Sequence, residues 1–174
     1  MKKHIVILIL ILSIISCNKT KPEAPVEEEA FYPRENYEGI DSLFEDYACE
    51  VKHSRLTAEL NSESIEAWDL IEPQVNAGLE YLEKEVNFGG KYILLPWGCG
   101  SDCQTGVIID AETGDIFRLP TSERGLEYRK ESLLLIVNPP SRAAGENIRP
   151  DYAYPAYYRW SENNEFILLH DTRE

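Results

Sequence analysis

Lys91-Tyr92-Ile93-Leu94-Leu95-Pro96-Trp97-Gly98-Cys99-Gly100-Ser101-Asp102-Cys103-Gln104-Thr105-Gly106-Val107-Ile108-Ile109-Asp110 is the stretch whose reading decides the fold. Residues 91–97 and 103–110 read as strands, and Gly98 and Gly100 between them let the backbone turn tightly. A connection this short makes antiparallel neighbours. Ala111-Glu112-Thr113-Gly114 follows as a second hairpin turn, with glycine where positive φ is needed, and residues 115–119 return. Residues 132–138 are expected as a fourth strand, stopped by Pro139-Pro140. Residues 156–160 and 165–170 form a closing hairpin around Ser161-Glu162-Asn163-Asn164. Residues 133–137 and 166–169 are apolar at every position, which predicts strands covered on both faces.

Upstream of this region the period changes. Ile65, Trp68, Leu70 and Ile71 fall at roughly helical spacing behind Asn61 or Ser62 as a cap. Pro73 lacks the N–H that a helix interior needs, so a kink or restart is expected there. Val75, Leu79, Leu82 and Val86 continue the stripe until Asn87-Phe88-Gly89-Gly90 ends it. Residues 51–60 alternate loosely and read as a further strand. In the acidic, aromatic stretch 37–47, Leu43 and Phe44 are the expected docking residues. The fold class is therefore α+β: an antiparallel β-meander of about five strands, with helices near residues 62–86 packed on it. A β-rich barrel or sandwich is the alternative.

The N-terminus carries an address. Met1-Lys2-Lys3-His4 is basic, residues 5–15 are apolar save Ser13, and Ile14-Ile15-Ser16-Cys17 resembles a bacterial lipobox. The apolar run is shorter than the ~20 residues that span a bilayer, and its layout fits a cleaved secretory signal. The resemblance implies a lipoprotein signal peptide over residues 1–16 and lipidation of Cys17. Each buried methylene adds ~0.8 kcal/mol, so more than one chain anchors stably. Residues 18–29 are polar, charged and Pro-containing, a composition that stays disordered. We therefore divide the chain into signal (1–16), lipid anchor with acidic tether (17–38) and one globular domain (39–174). Asn18 is not the aspartate of an inner-membrane retention signal, so the outer membrane is the expected site, on its periplasmic face or at the cell surface. The acidic cluster near the anchor is similar to surface-export signals of some lipoproteins, but a solvated linker is the plainer account of it.

Charge narrows the partners. Removing residues 1–16 takes away Lys2 and Lys3 and no acid, so the formal charge moves from −14 to −16. Nucleic acid and anionic lipid call for basic patches, so neither is an expected direct ligand. The expected partners are the membrane, through the N-terminal lipid, and an envelope protein or polysaccharide.

In an oxidising compartment Cys49, Cys99 and Cys103 form an odd set once Cys17 is lipidated. Gly98 and Gly100 let the backbone turn tightly enough to bring Cys99 and Cys103 into disulfide range. Closing so short a loop restricts the unfolded chain by about 2 kcal/mol in the loop-entropy view. A redox-active pair is the rival, although C-x3-C is not the C-x-x-C of thioredoxin-like sites and Asp102 raises a thiol pKa. A metal site with Cys49 and His53 is a further option, at unspecific spacing. Pairing of Cys49 with either cysteine also stays open.

Asn87-Phe88-Gly89-Gly90-Lys91-Tyr92, Trp97-Gly98-Cys99-Gly100-Ser101-Asp102-Cys103 and Asp110-Ala111-Glu112-Thr113-Gly114 together resemble a family of bacterial exported proteins. Those proteins carry N-F-[AG]-G-x-Y, then W-G-C-G-x-x-C, then a D-x-x-T-G hairpin. The resemblance covers roughly residues 87–119 and extends faintly to Tyr158-Arg159-Trp160. Here Gly89 stands where alanine is commoner, and Pro96 lies inside the first strand. The resemblance implies an extracytoplasmic location and a β-rich core, and it brings no established reaction.

Other chemistry is sparse. His53 and His170, the histidines of the mature chain, adjoin no evident nucleophile. No G-x-S-x-G elbow or H-E-x-x-H helix is present, though triads and carboxylate pairs are assembled in space. Asp110, Glu112 and Asp115 suggest calcium, but a hairpin turn uses the same residues. No catalytic residue, cofactor or metal is assigned. Tyr154, Tyr157, Arg159 and Trp160 form the candidate ligand or partner surface, since aromatics and Arg dominate interface hot spots; a core strand is the plainer account of their alternation. The leading expectation is a lipid-anchored envelope protein with a non-catalytic binding domain. The alternatives are an extracytoplasmic hydrolase and, behind it, a thiol-redox accessory protein.

Overall fold

The computed structural model describes residues 40–143 and 153–171, all within the unit Tyr32–Glu174. The signal peptide, Cys17 and the tether lie outside the described residues.

The fold is α+β. Among the described residues three α-helices, α1 (Ile40–Asp46), α2 (Trp68–Tyr81) and the single turn α3 (Pro140–Ala143), accompany seven strands. These are β1 (Tyr92–Gly100), β2 (Cys103–Asp110), β3 (Ile116–Arg118), β4 (Leu126–Tyr128), β5 (Leu134–Val137), β6 (Ala156–Trp160) and β7 (Phe166–Asp171). They form two antiparallel meanders rather than one of about five strands. One sheet runs β1-β2-β3 and the other β4-β5-β6-β7, and no closed barrel is found among them. The break falls at 119–125, where Pro120 and Gly125 interrupt the pattern and the three-residue β4 is too short to announce itself.

Alternation explains the layers. Ile93, Leu95, Val107, Ile109 and Ile116 face one way and pack with Val75 and Leu79 of α2. Tyr92, Leu94 and Ile108 face the other way and meet Leu126, Leu135, Val137, Ala156 and Trp160 of the second sheet. On the far side of that sheet Leu134 and Ile136 pack with Phe44 of α1. Each sheet thus has an inner face against the other sheet and an outer face under a helix. A fully buried aliphatic side chain contributes about 1.5–3 kcal/mol, which is why β1, β2 and β5 carry apolar residues on both faces. Phe88 is fully buried at the sheet interface, with its ring edge-on to Tyr128.

Several local expectations are corrected. Helix α2 runs through Pro73 without restarting and ends at Tyr81, so Val86 lies beyond it. Its exit is turned by Glu83 and Lys84 in left-handed conformation. Asn61 precedes a short 3-10 turn at Ser62–Ser64, and the residue preceding α2 is Ala67. Residues 51–60 form no strand; Arg55 makes an isolated bridge to Glu85. Strand β5 is buried at every position as expected, but in β7 Ile167, Leu168 and Leu169 are 37%, 48% and 39% exposed. The reason is position: among the described residues β7 is the last strand of its sheet, with a neighbour on one side only.

Candidate functional site

The signature residues build turns. Asn87 Oδ1 accepts from the Leu94 N–H (2.7 Å) and its Nδ2 donates to Leu94 O (3.0 Å), standing in for a neighbouring strand. Gly90 has φ +76°, and a Cβ there would lie 2.1 Å from Glu50 O, so only glycine fits. Cys99 and Cys103 are bonded across the β1–β2 turn, with Cα atoms 5.2 Å apart. Gly100 at φ +144° and Asp102 at φ +48° make that turn. Trp97 packs, partly buried, on the α2 side.

The acidic hairpin is equally architectural. Asp110 Oδ2 pairs with Lys91 Nζ at 2.7 Å, and Asp110 Oδ1 accepts from the Glu112 N–H. Burial works to lower the Lys91 pKa, but the hydrogen bond to Asp110, with the charges of Asp110 and Glu112, outweighs it and the net shift is upward. Asp115 accepts from Asn61 Nδ2 and from Thr113 Oγ1. Among the described residues no group of three or more His, Cys, Asp or Glu is placed to hold a metal.

Cys49 is free and half-buried. Burial, followed by the Glu131 carboxylate, pushes its thiol up against the smaller opposing effect of Lys52. A thiol raised in this way is a weak nucleophile. Among the described residues neither histidine side chain hydrogen-bonds a hydroxyl or thiol.

The proposed aromatic surface divides by parity. Ala156, Tyr158 and Trp160 point inward, while Tyr157 and Arg159 point out. Trp160 is therefore a correction: it is 2% exposed and wedged against Tyr92, Phe117 and Phe166 at ring-centroid distances of 5.5, 5.5 and 4.6 Å. Among the described residues its Nε1 meets no hydrogen-bond partner, so packing outweighs a desolvation cost of about 1–3 kcal/mol. Tyr154 lies ahead of β6, half-buried, with its carbonyl accepting from Asn138 Nδ2 at 3.1 Å.

Tyr157 and Arg159 do share a face. The register aligns Glu127, Ile136, Tyr157 and His170 in one row across the second sheet, and Leu134, Arg159 and Ile167 in the next. Phe44 covers the β5 end of these rows, and Arg159, Ile167 and His170 lie exposed at the β7 end. Tyr157 stacks on His170, ring centroids 6.2 Å apart. Burial, then the nearby Glu127 carboxylate, raises its phenol pKa. Ser141 Oγ donates to Glu127 Oε2 at 2.8 Å. The sequence reading missed Glu127, Ile167 and His170 as members of this face. The available signal was the terminal position of the last apolar run, since the closing strand of a meander is an edge.

The chain matches no family model, no curated protein and no solved structure.

Proposed function

We propose that the chain is a lipid-anchored cell-envelope protein whose folded domain binds a partner without catalysis. The anchor reading rests on the basic-apolar leader and Cys17, and the outer membrane is the site we assign. No helix among the described residues is long and apolar enough to cross a membrane, so in this account the N-terminal lipid does the attaching. The observation that carries the binding role is the outer β6–β7 face. Exposed Arg159 and Ile167 lie there beside a half-buried Tyr157 stacked on His170. Aromatic and Arg side chains next to exposed aliphatics are what interface centres use. The resemblance in residues 87–119 contributes the scaffold of this reading, because those residues build turns.

The test is chemical cross-linking of the chain in its native cells, with the captured partners identified by mass spectrometry. The expected result is a reproducible envelope partner that Tyr157→Ala and Arg159→Ala both lose while the chain stays folded. Turnover of an envelope substrate by the purified chain, abolished by Ser141→Ala or His170→Ala, would replace this reading with the hydrolase one.

A further inference from the structure

We infer that β7 is an open edge that accepts an extended segment of another protein as an added strand, and that this segment carries basic residues flanking an apolar centre. The inference rests on the binding role above and specifies its mode.

The backbone sets the mode. The Ser161 N–H donates to Glu165 O, and the Trp160 N–H donates away from β7 to Leu133 O. Alternation along an antiparallel pair then makes Arg159 and Ile167 the exchanging pair. Phe166 and Leu168 accordingly aim their N–H and C=O groups away from β6, and among the described residues no strand lies on that side. Edge strands are ordinarily blunted by charge, proline or brevity. β7 is six residues long, its central Ile167-Leu168-Leu169 is apolar, and all three are exposed. Its one irregularity, the register shift opposite Tyr157 and Tyr158, lies beyond Leu168.

Charge selects the occupant. Glu162 and Glu165 are exposed at the hairpin end of β7, and the strand finishes at Asp171. Arg159 sits one strand further in, so the charges next to an added strand are those at the ends of β7. A second copy fits poorly: two-fold antiparallel pairing centred on Leu168 sets Glu165 of one copy opposite Asp171 of the other. Like charges directly opposite are destabilising, and each copy already carries a formal charge of −14. A strand with basic ends turns both repulsions into attractions and is steered in by the same field. Backbone hydrogen bonds would supply affinity, and alternate side chains the selectivity.

The experiment is hydrogen–deuterium exchange on the full chain in detergent, with two probes. One is a capped peptide of alternating valine and threonine with lysine at each end; the other has glutamate at each end. The lysine peptide is expected to slow exchange at Phe166 and Leu168, with an apparent affinity about tenfold above that of the glutamate peptide. Leu168→Pro, which an edge strand tolerates, is expected to abolish the protection, and Leu168→Thr, which keeps the N–H, to retain it. The mapping on the unsubstituted chain decides even where the proline variant does not fold. No protection at β7, or protection elsewhere, would overturn strand addition. Equal protection by both peptides would overturn the charge selection. Protection that rises with chain concentration alone would make a second copy the occupant. If strand addition fails while the cross-linked partner still depends on Tyr157 and Arg159, the surface reading stands without this mode; loss of that partner dependence with β7 protection intact would retain the edge and remove the surface.

Discussion

Single residues hold the loops to the sheets. Asn138 is buried with φ +52°. Its Oδ1 accepts from the Glu123 and Arg124 N–H groups, and its Nδ2 donates to Glu123 Oε2 and Tyr154 O. Asn138→Ala strips all of these, and we expect a loss of about 2–3 kcal/mol, allowing for partial rehydration, measured by urea denaturation. Gly90→Ala meets Glu50 O and a positive φ together, so it should cost more than about 1 kcal/mol. A third expectation concerns pH. Cys49, Lys91, Tyr128 and Tyr157 all have pKa values raised in the fold. A raised group holds its proton more tightly folded than unfolded, so its stabilisation is complete below the unfolded pKa and is lost as pH rises through the folded one. Thermal melts should therefore fall on alkalisation, first from about pH 8.5 for the thiol and then from about pH 10 for the phenols and the ammonium. Cys49→Ser should remove the first step alone.

At the level of elements, what was legible in the sequence depended on whether a signal was local. The strands β2 and β6 match their expected limits because local turn residues bound them: Gly100 and the 111–114 turn for β2, Pro155 and the 161–164 turn for β6. β4 went unseen because three residues cannot show a period. Residues 166–169 and 133–137 read alike as apolar runs, yet only in the second are four consecutive residues, 134–137, buried, since the number of neighbours a strand has is a property of the sheet. Trp160 was misplaced for a related reason: composition draws attention to the aromatic cluster, while parity decides which rings face out. The Cys99–Cys103 loop was legible because its closure needs only neighbouring residues. Reducing it should cost about 2 kcal/mol in the loop-entropy view, seen as a lower urea midpoint with β-sheet circular dichroism retained.

Across the whole molecule, helix, sheet, sheet and helix share three apolar clusters, and the exposed aliphatics that remain fall in separate places. Leu70 on α2 is 76% exposed, but a lone exposed side chain of this kind is ordinary on a soluble surface. The β7 group is contiguous, lies on a strand edge and adjoins Tyr157 and Arg159, and on it the functional account rests. The most direct test is to place a photoreactive side chain at Ile167, and separately at Leu70, in the full chain in its native cells, and to compare the adducts. The account predicts one reproducible envelope partner captured at Ile167 and absent at Leu70. The same partner captured at Leu70 alone, or no adduct at Ile167, would contradict it.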